Sequence, residues 1–487
     1  MRIGAQSNDL AAAGVVMRRG LEKLQAGDAK GAATDFSTVV NGAQFPNFPM
    51  EQRYAAMFLL AVAEAGDSQF EEAMKHIRRA GEIAPGLRDS DYWVELAAIS
   101  SGSGNIDILA DALTTLASSH TDTLNKLDVA FVAQSVRRVA QLGDGKARYQ
   151  ALLEAMIASK YRPPNPFWSG EGIRFALFKI YVEKGDEARA RSLAVAFTES
   201  DTILLLQIDN RYRAFLPADL TFQKVLDLDI TYARALVATH PDKLQGINAL
   251  VNDLYRSNRI EEAMKIVDEA LARIDQAPKD KPPFSDLHDR LNWTLDMRSR
   301  LLAKQGRWNE VETAQKKARD VANSNQSDPV SQTINLGDLY YEMGRSRDAL
   351  DAVKDIDSKR SSPYGMMAAE EVRACAYAQL ADAANLAKSL EYMKAHADDG
   401  YGPLRSALLC AGDIEGLAKL LITHLDNPDT RASTLADVQT YIPQPHPTDW
   451  DKKMAANRDA ALARADVRAA IQRYGVINTY PVFPTEN

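Results

Sequence analysis

Residues 328–357 read DPVSQTINLGDLYYEMGRSRDALDAVKDID, and this stretch decides the fold. Leu336, Gly337 and Tyr340 then fall on one helical face. Gly344 supplies a turn, and Ala349 and Val353 recur at helical spacing beyond it. Small residues at Gly337 and Ala349 let two helices approach closely, while Leu336, Tyr340 and Val353 fill the space around the crossing.

The same pattern recurs along the chain. Gly20, Gly27, Ala32 and Phe36 fall in register near the start, followed by Phe70, Ala73, Ala80 and Pro85. Pro85 stops its helix because proline clashes with the preceding turn. Further units are marked by Ala110 with Ala117, by Tyr181, Gly185 and Ala190, by Leu254, Ala263 and Ala270, and by Gly306, Trp308 and Ala318. Weaker copies centre on Ala387 and on Gly412 with Ile414. The spacing between equivalent small positions is uneven: 41 from Ala32 to Ala73, 48 from Ala263 to Val311, and 38 from Val311 to Ala349 and again to Ala387. The extra residues are assigned to lengthened helices or to loops at Asn41–Met50, Pro278–Ser285 and Ser358–Pro363.

A Leu-Gly pair, then Tyr, a turn Gly and a small closing residue resembles the tetratricopeptide repeat, whose strict copies recur at about 34 residues. The resemblance covers roughly ten units between Ala11 and Asn427, strongest in about five. It implies an all-α solenoid, a right-handed superhelix of antiparallel helix pairs, with a C-terminal capping helix. The expected organisation is repeats over 11–200, an irregular helical connector over 201–240 with Pro217 inside it, repeats over 241–427, and a cap and extended tail over 440–487. A helical run from Trp450 to Tyr474 suits the cap, its apolar face holding Ala461, Leu462, Ala465 and Ile471. The segment Tyr161–Gly172, YRPPNPFWSGEG, is too rich in proline and glycine for a helix, and its aromatics are expected to pack on the repeats.

Composition narrows the function. Of 487 residues, 46% are hydrophobic and 25% charged, which is ordinary globular composition. A net charge of −8 disfavours nucleic acid and anionic membranes, which need clustered Lys and Arg. No stretch is apolar for long enough to span a bilayer. The two cysteines, Cys375 and Cys410, are read as buried thiols, with one bridge as the alternative. Cytoplasm is the formal compartment. Ala5-Gln6-Ser7 looks like the residue of a signal-peptidase cut, which makes the periplasm the alternative.

Catalytic signatures are missing. His76, His120, His240, His288, His396, His424 and His446 include no pair at i, i+3 or i+4, so neither metal nor cofactor is expected. The glycine clusters Ser101–Asn105 and Ser169–Gly172 lack the Lys-Ser/Thr of a phosphate loop and read as turns between paired helices. The acidic pairs Glu71-Glu72, Glu261-Glu262 and Glu370-Glu371 read as helix-start charges that complement the dipole.

Function therefore falls to a surface. In the resembled family the concave face, lined by the first helix of each unit, takes an extended peptide or a partner's helix. Position by position this implies Asn248, Asn252 and Tyr255 with Arg256 beside them, then Arg300 and Lys304, then Asp338 and Tyr341. Paired Asn side chains can hold a peptide backbone, and Arg300 with Lys304 would favour an acidic residue or a carboxylate. The family's carboxylate clamp of Lys and Asn is mostly absent: Asn252 fits, while the other positions read Asn248, Met297, Ser331 and Asn335. The expected function is a non-catalytic protein- or peptide-binding scaffold. A ligand-responsive sensor hinged near Pro217 is the alternative, and an α-helical enzyme with an unrecognised carboxylate site is third.

Overall fold

The computed structural model describes residues 2–142, 146–217, 220–278 and 280–484, with side chains from residue 12 onward. Ala5-Gln6-Ser7 therefore lies outside the described side chains, as do Lys279 of the 278–285 loop and residues 485–487 of the tail. The chain is all-α, a succession of tetratricopeptide-like helix pairs in two compact units, Met1–Asp186 and Glu187–Asn487. Among the described residues, extended segments meet only at two isolated bridges, and no helix is long and apolar enough to cross a membrane.

The first unit contains α1 (Arg2–Gln25), α2 (Ala29–Val40), α3 (Met50–Gly66), α4 (Phe70–Ile83), α5 (Ser90–Ser103), α6 (Ile106–Ser119), α7 (Thr121–Lys126), α8 (Val129–Ala140), α9 (Lys146–Ala158) and α10 (Glu171–Glu183). Its pairs α1–α2, α3–α4 and α5–α6 close over small residues. Ala32, Ala73, Ala80, Ala110 and Ala117 are all fully buried. A Cβ at Gly20 would stand 2.6 Å from the Phe36 ring, so only glycine permits that crossing. Pro85 opens a 3-10 turn directly after α4, as the sequence predicts. Gly104 ends α5 and Gly170 precedes α10, both in the left-handed region, so the two glycine clusters are helix junctions. In the 161–172 segment, Trp168 meets buried Tyr161 edge-on at 5.2 Å.

The second unit contains α11 (Glu187–Ala194), α12 (Ser200–Ile208), α13 (Phe222–Thr239), α14 (Leu244–Arg256), α15 (Ile260–Gln276), α16 (Leu287–Lys304), α17 (Trp308–Asn325), α18 (Pro329–Glu342), α19 (Ser346–Val353), α20 (Pro363–Gln379), α21 (Ala383–Ala395), α22 (Tyr401–Ala411), α23 (Ile414–Asp426), α24 (Arg431–Asp437), α25 (Asp449–Ala463) and α26 (Ala465–Tyr474). The deciding stretch folds as read. Asp328 caps α18 by accepting from the Ser331 N–H, and Leu336, Ala349 and Val353 are buried. A Cβ on Gly337 would meet Val353 and Val372 at 3.0 Å. The stretched spacing between Ala263 and Val311 comes from long helices: α15 has 17 residues and α16 and α17 have 18 each.

Four details differ from the sequence reading. Ala387 is exposed, and Ser389 and Met393 turn inward from α21 instead. The capping run is broken at Arg464, whose extended backbone separates α25 from α26. The break rotates Ala465 out to solvent and Val467 into the core beside Ala461 and Ile471. Glu370 and Glu371 lie in the middle of α20, not at a helix start. Cys375 and Cys410 form a disulfide, with Cα atoms 5.0 Å apart. They are 35 residues apart, about one repeat, so they occupy neighbouring positions on α20 and α22, which pack side by side.

The chain does not stop at the cap. After α26 it runs extended back to the beginning of its own unit. The Val476 N–H donates to the Ile208 carbonyl at 3.0 Å, and the Phe483 N–H to the Arg256 carbonyl at 2.9 Å. Residues 440–442 run alongside it: the Thr440 N–H donates to the Asn478 carbonyl, and the Tyr480 N–H donates to the Thr440 carbonyl. Tyr480 packs against Phe222 and Phe483 against Tyr255, with ring centres 5.0 and 5.7 Å apart. Gly475 begins this return so close to α12 that a Cβ would lie 2.3 Å from the Ile208 oxygen. Gly475→Ala should therefore cost about 1–3 kcal/mol by overpacking. Urea denaturation should show a lowered midpoint for this variant and none for Gly402→Ala, whose Cβ meets open space.

Candidate binding cleft

The first helices of successive pairs, α16, α18, α20 and α22, present consecutive turns to one cleft of about 490 Å³ in the second unit. Its far side is formed by Gln444 of the segment before α25, Asp451 of α25 and Pro484 of the returning tail. The cleft exists because a repeat array leaves its first helices exposed on one face and the tail then lies over part of that face.

Five of the eight residues singled out in the sequence converge here: Tyr255, Arg300, Lys304, Asp338 and Tyr341. The other three do not line it. Asn248 accepts a hydrogen bond from the Thr294 hydroxyl at 2.9 Å. Asn252 is exposed one turn further along α14. Arg256 is buried, bonded to Asp201 at 2.6 Å, and its carbonyl holds the tail at Phe483. Helical periodicity places these three on α14 but does not report the contacts of that helix with α16, at Asn248, and with the tail, at Arg256.

The basic pair is not a bare anion site. Arg300 Nε donates to Asp296 at 2.9 Å, and Asn335 Nδ2 donates to the other oxygen of the same carboxylate at 3.0 Å. The Lys304 ammonium stands over the rings of Phe483 and Tyr255, at 4.5 and 5.1 Å from their centres. Charge on both side chains is thus partly satisfied within the fold.

Sequence reasoning placed Asp338 in the cleft but missed its acidic neighbour, Glu371. Glu371 of α20 receives a hydrogen bond from the Tyr341 hydroxyl at 3.4 Å. Burial pushes the Glu371 carboxyl up to about 7, against the opposing pull of Ser406 and Arg405. Burial likewise holds Asp338 well above the usual carboxylate range, with Glu371 adding to the rise. Its Oδ1 is enclosed and has no hydrogen-bond partner. The available signal was that Glu371 follows Pro363 by more than two helical turns, which rules out a helix-start role once the start of α20 is fixed at the proline. Chemically, the cleft offers two carboxyls that hold their protons more tightly than usual, aromatic hydroxyls at Tyr341 and Tyr364, and cations held in ion pairs or on rings. Among the described residues no three His, Cys, Asp or Glu side chains are arranged to hold a metal ion.

Neither a family model nor a curated protein sequence matches the chain. Solved structures align along most of it. The apo form of RapI matches at 7% identity over 92% of this chain and 98% of that one, with a TM-score of 0.33. Yeast Tom70 matches at 11% over 95% and 99%, with a TM-score of 0.32. A human IFIT1 dimer with PPP-AAAA matches at 15% over 90% and 96%, with a TM-score of 0.33. The fold assignment rests on the helix pairs of this chain.

The raised Glu371 gives a signed pH dependence. Its folded pKa near 7 exceeds the ordinary 4.5, so the folded state holds the proton more tightly. The associated stability is complete below about 4.5 and is lost as pH rises toward 7. Glu371→Gln cannot ionise. Thermal melts should show the variant gaining on the parent protein between pH 4.5 and 7.5, whatever constant offset the amide introduces. A gap that stays flat with pH would contradict the assignment.

Proposed function

We propose that the protein is a non-catalytic binding scaffold that takes a peptide, or an extended segment of a partner protein, in the cleft between α16, α18, α20 and α22. The observation that carries this reading is the convergence of Tyr255, Arg300, Lys304, Asp338 and Tyr341 from successive helices onto one cavity. A mixed lining of aromatic faces, hydroxyls and both signs of charge suits a peptide, which brings donors and acceptors at every residue. The pairing of Arg300 with Asp296 argues against a ligand recognised by a bare carboxylate clamp.

Gly402 allows a clean test. It lies at the cleft near the start of α22, and a Cβ there meets nothing within 4 Å. Gly402→Phe should fill the cleft while leaving the fold intact. Partners captured from the native host by the parent protein, and peptides selected from a displayed library, should be lost by this variant at an unchanged melting temperature. Undiminished capture would remove the cleft from consideration.

A second reading has one observation in its favour. Asp338 and Glu371 are a half-buried acid pair in a cavity, as acid–base chemistry employs. That reading requires turnover. Mass spectrometry of ligand recovered after prolonged incubation separates the two, and intact ligand supports the scaffold.

The Cys375–Cys410 bridge supports work in an oxidising compartment, such as a periplasm, over the cytoplasm. Alkylation of intact cells before lysis should leave both sulfurs unmodified. Two alkylated cysteines in the native host would return the protein to a reducing compartment.

A further inference from the structure

A second chamber of about 490 Å³ adjoins the polar cleft within the same unit. Its walls are mostly apolar, with Leu409 of α22, Leu417 and Leu421 of α23, Leu462 of α25 and Phe483 of the tail, while Asp437, Arg458 and Asp459 line the remainder. Arg405 and Gln444 line both spaces and so stand at their common wall.

Two polar atoms at that wall lack partners. Arg405 pairs through Nη1 with Asp437 at 2.7 Å, but its Nε is enclosed and makes no hydrogen bond. Gln444 Oε1 is likewise enclosed and unbonded. One is a donor and the other an acceptor. Enclosed polar groups are nearly always satisfied in folded proteins, so an unfilled donor and acceptor beside a cavity indicate what the cavity takes. A peptide unit presents one carbonyl and one N–H, which is the complementary set. The room beside it is large enough for a Phe or Leu side chain, and most of the surface it offers that side chain is apolar.

Resting on the peptide reading of the polar cleft, we propose that the apolar chamber is a specificity subsite. It takes one large apolar side chain of the bound peptide, whose adjacent backbone carbonyl accepts from Arg405 Nε and whose N–H donates to Gln444 Oε1. The rest of the peptide lies in the polar cleft. The wall thus fixes the register of the peptide, and the chamber selects the residue.

The test uses the full chain, two blocked probes, acetyl-Gly-Phe-Gly-amide and acetyl-Gly-Ser-Gly-amide, and a series of the Phe probe with an ester oxygen replacing each backbone N–H in turn. Binding is read by saturation-transfer NMR and calorimetry. The Phe probe should bind at least about tenfold tighter than the Ser probe, the worth of burying an aromatic side chain. One ester position should weaken binding. Gln444→Leu should weaken the Phe probe and should no longer distinguish that ester from the amide. Ala455→Trp fills the chamber from an exposed position on α25 and should erase the preference for Phe over Ser. Equal binding of Phe and Ser probes, with both blocked by Gly402→Phe, would overturn the subsite and leave the polar cleft standing. Binding of none of the probes, together with no peptide selected from the library, would overturn both.

Discussion

The structure depends on helices packing closer than ordinary side chains allow. Gly20 admits the Phe36 ring to its backbone, Gly337 admits Val353 and Val372, and fully buried alanines hold the other crossings. Each such contact fixes one helix pair, and each pair leaves its first helix facing the same way as its neighbours'. The cleft follows from that repetition. No element was built for it; it is the space left along the exposed first helices of α16, α18, α20 and α22 and enclosed where the tail crosses.

The chemistry of the cleft follows from enclosure. In an open groove Asp338 and Glu371 would be ordinary surface carboxylates on a solvated helix face. Packed beneath neighbouring helices, they lose hydration that the nearby Arg300 and Arg405 do not replace, because those cations are committed to Asp296 and Asp437. A solvent-facing repeat surface thereby becomes a site whose charge depends on what occupies it.

Much of this was legible in the sequence, for a definite reason. Helix pairing is local, and its markers lie within one repeat: Leu336, Gly337, Tyr340, Gly344 and Ala349 report their own environment. The inward facing of Asp338 and Tyr341 follows from the same periodicity. What was not legible depends on contacts between distant segments. Arg256 reads as groove-facing until Phe483 is known to bond its carbonyl. Cys375 and Cys410 read as separate thiols until α20 and α22 are known to lie side by side. Glu371 reads as a helix-start charge until the start of α20 is placed at Pro363. In each case the missing information is tertiary, and no single-repeat pattern encodes it.

The return of the tail changes how the second unit must assemble. An open repeat array can gain structure from any point, because each unit meets only its neighbours. Here Tyr480 bonds Gln207 across 273 positions, so the first helices of the unit are completed by its last residues. A ribosome therefore releases α12, α13 and α14 with Phe222 and Tyr255 still uncovered, and they stay so until residues 476–483 have emerged. Long-range closure of this kind raises contact order and slows folding, in a fold class otherwise noted for local contacts. The emerging chain carries an aromatic surface that invites either a chaperone or a premature partner, and the folded unit covers it with its own 476–483 segment.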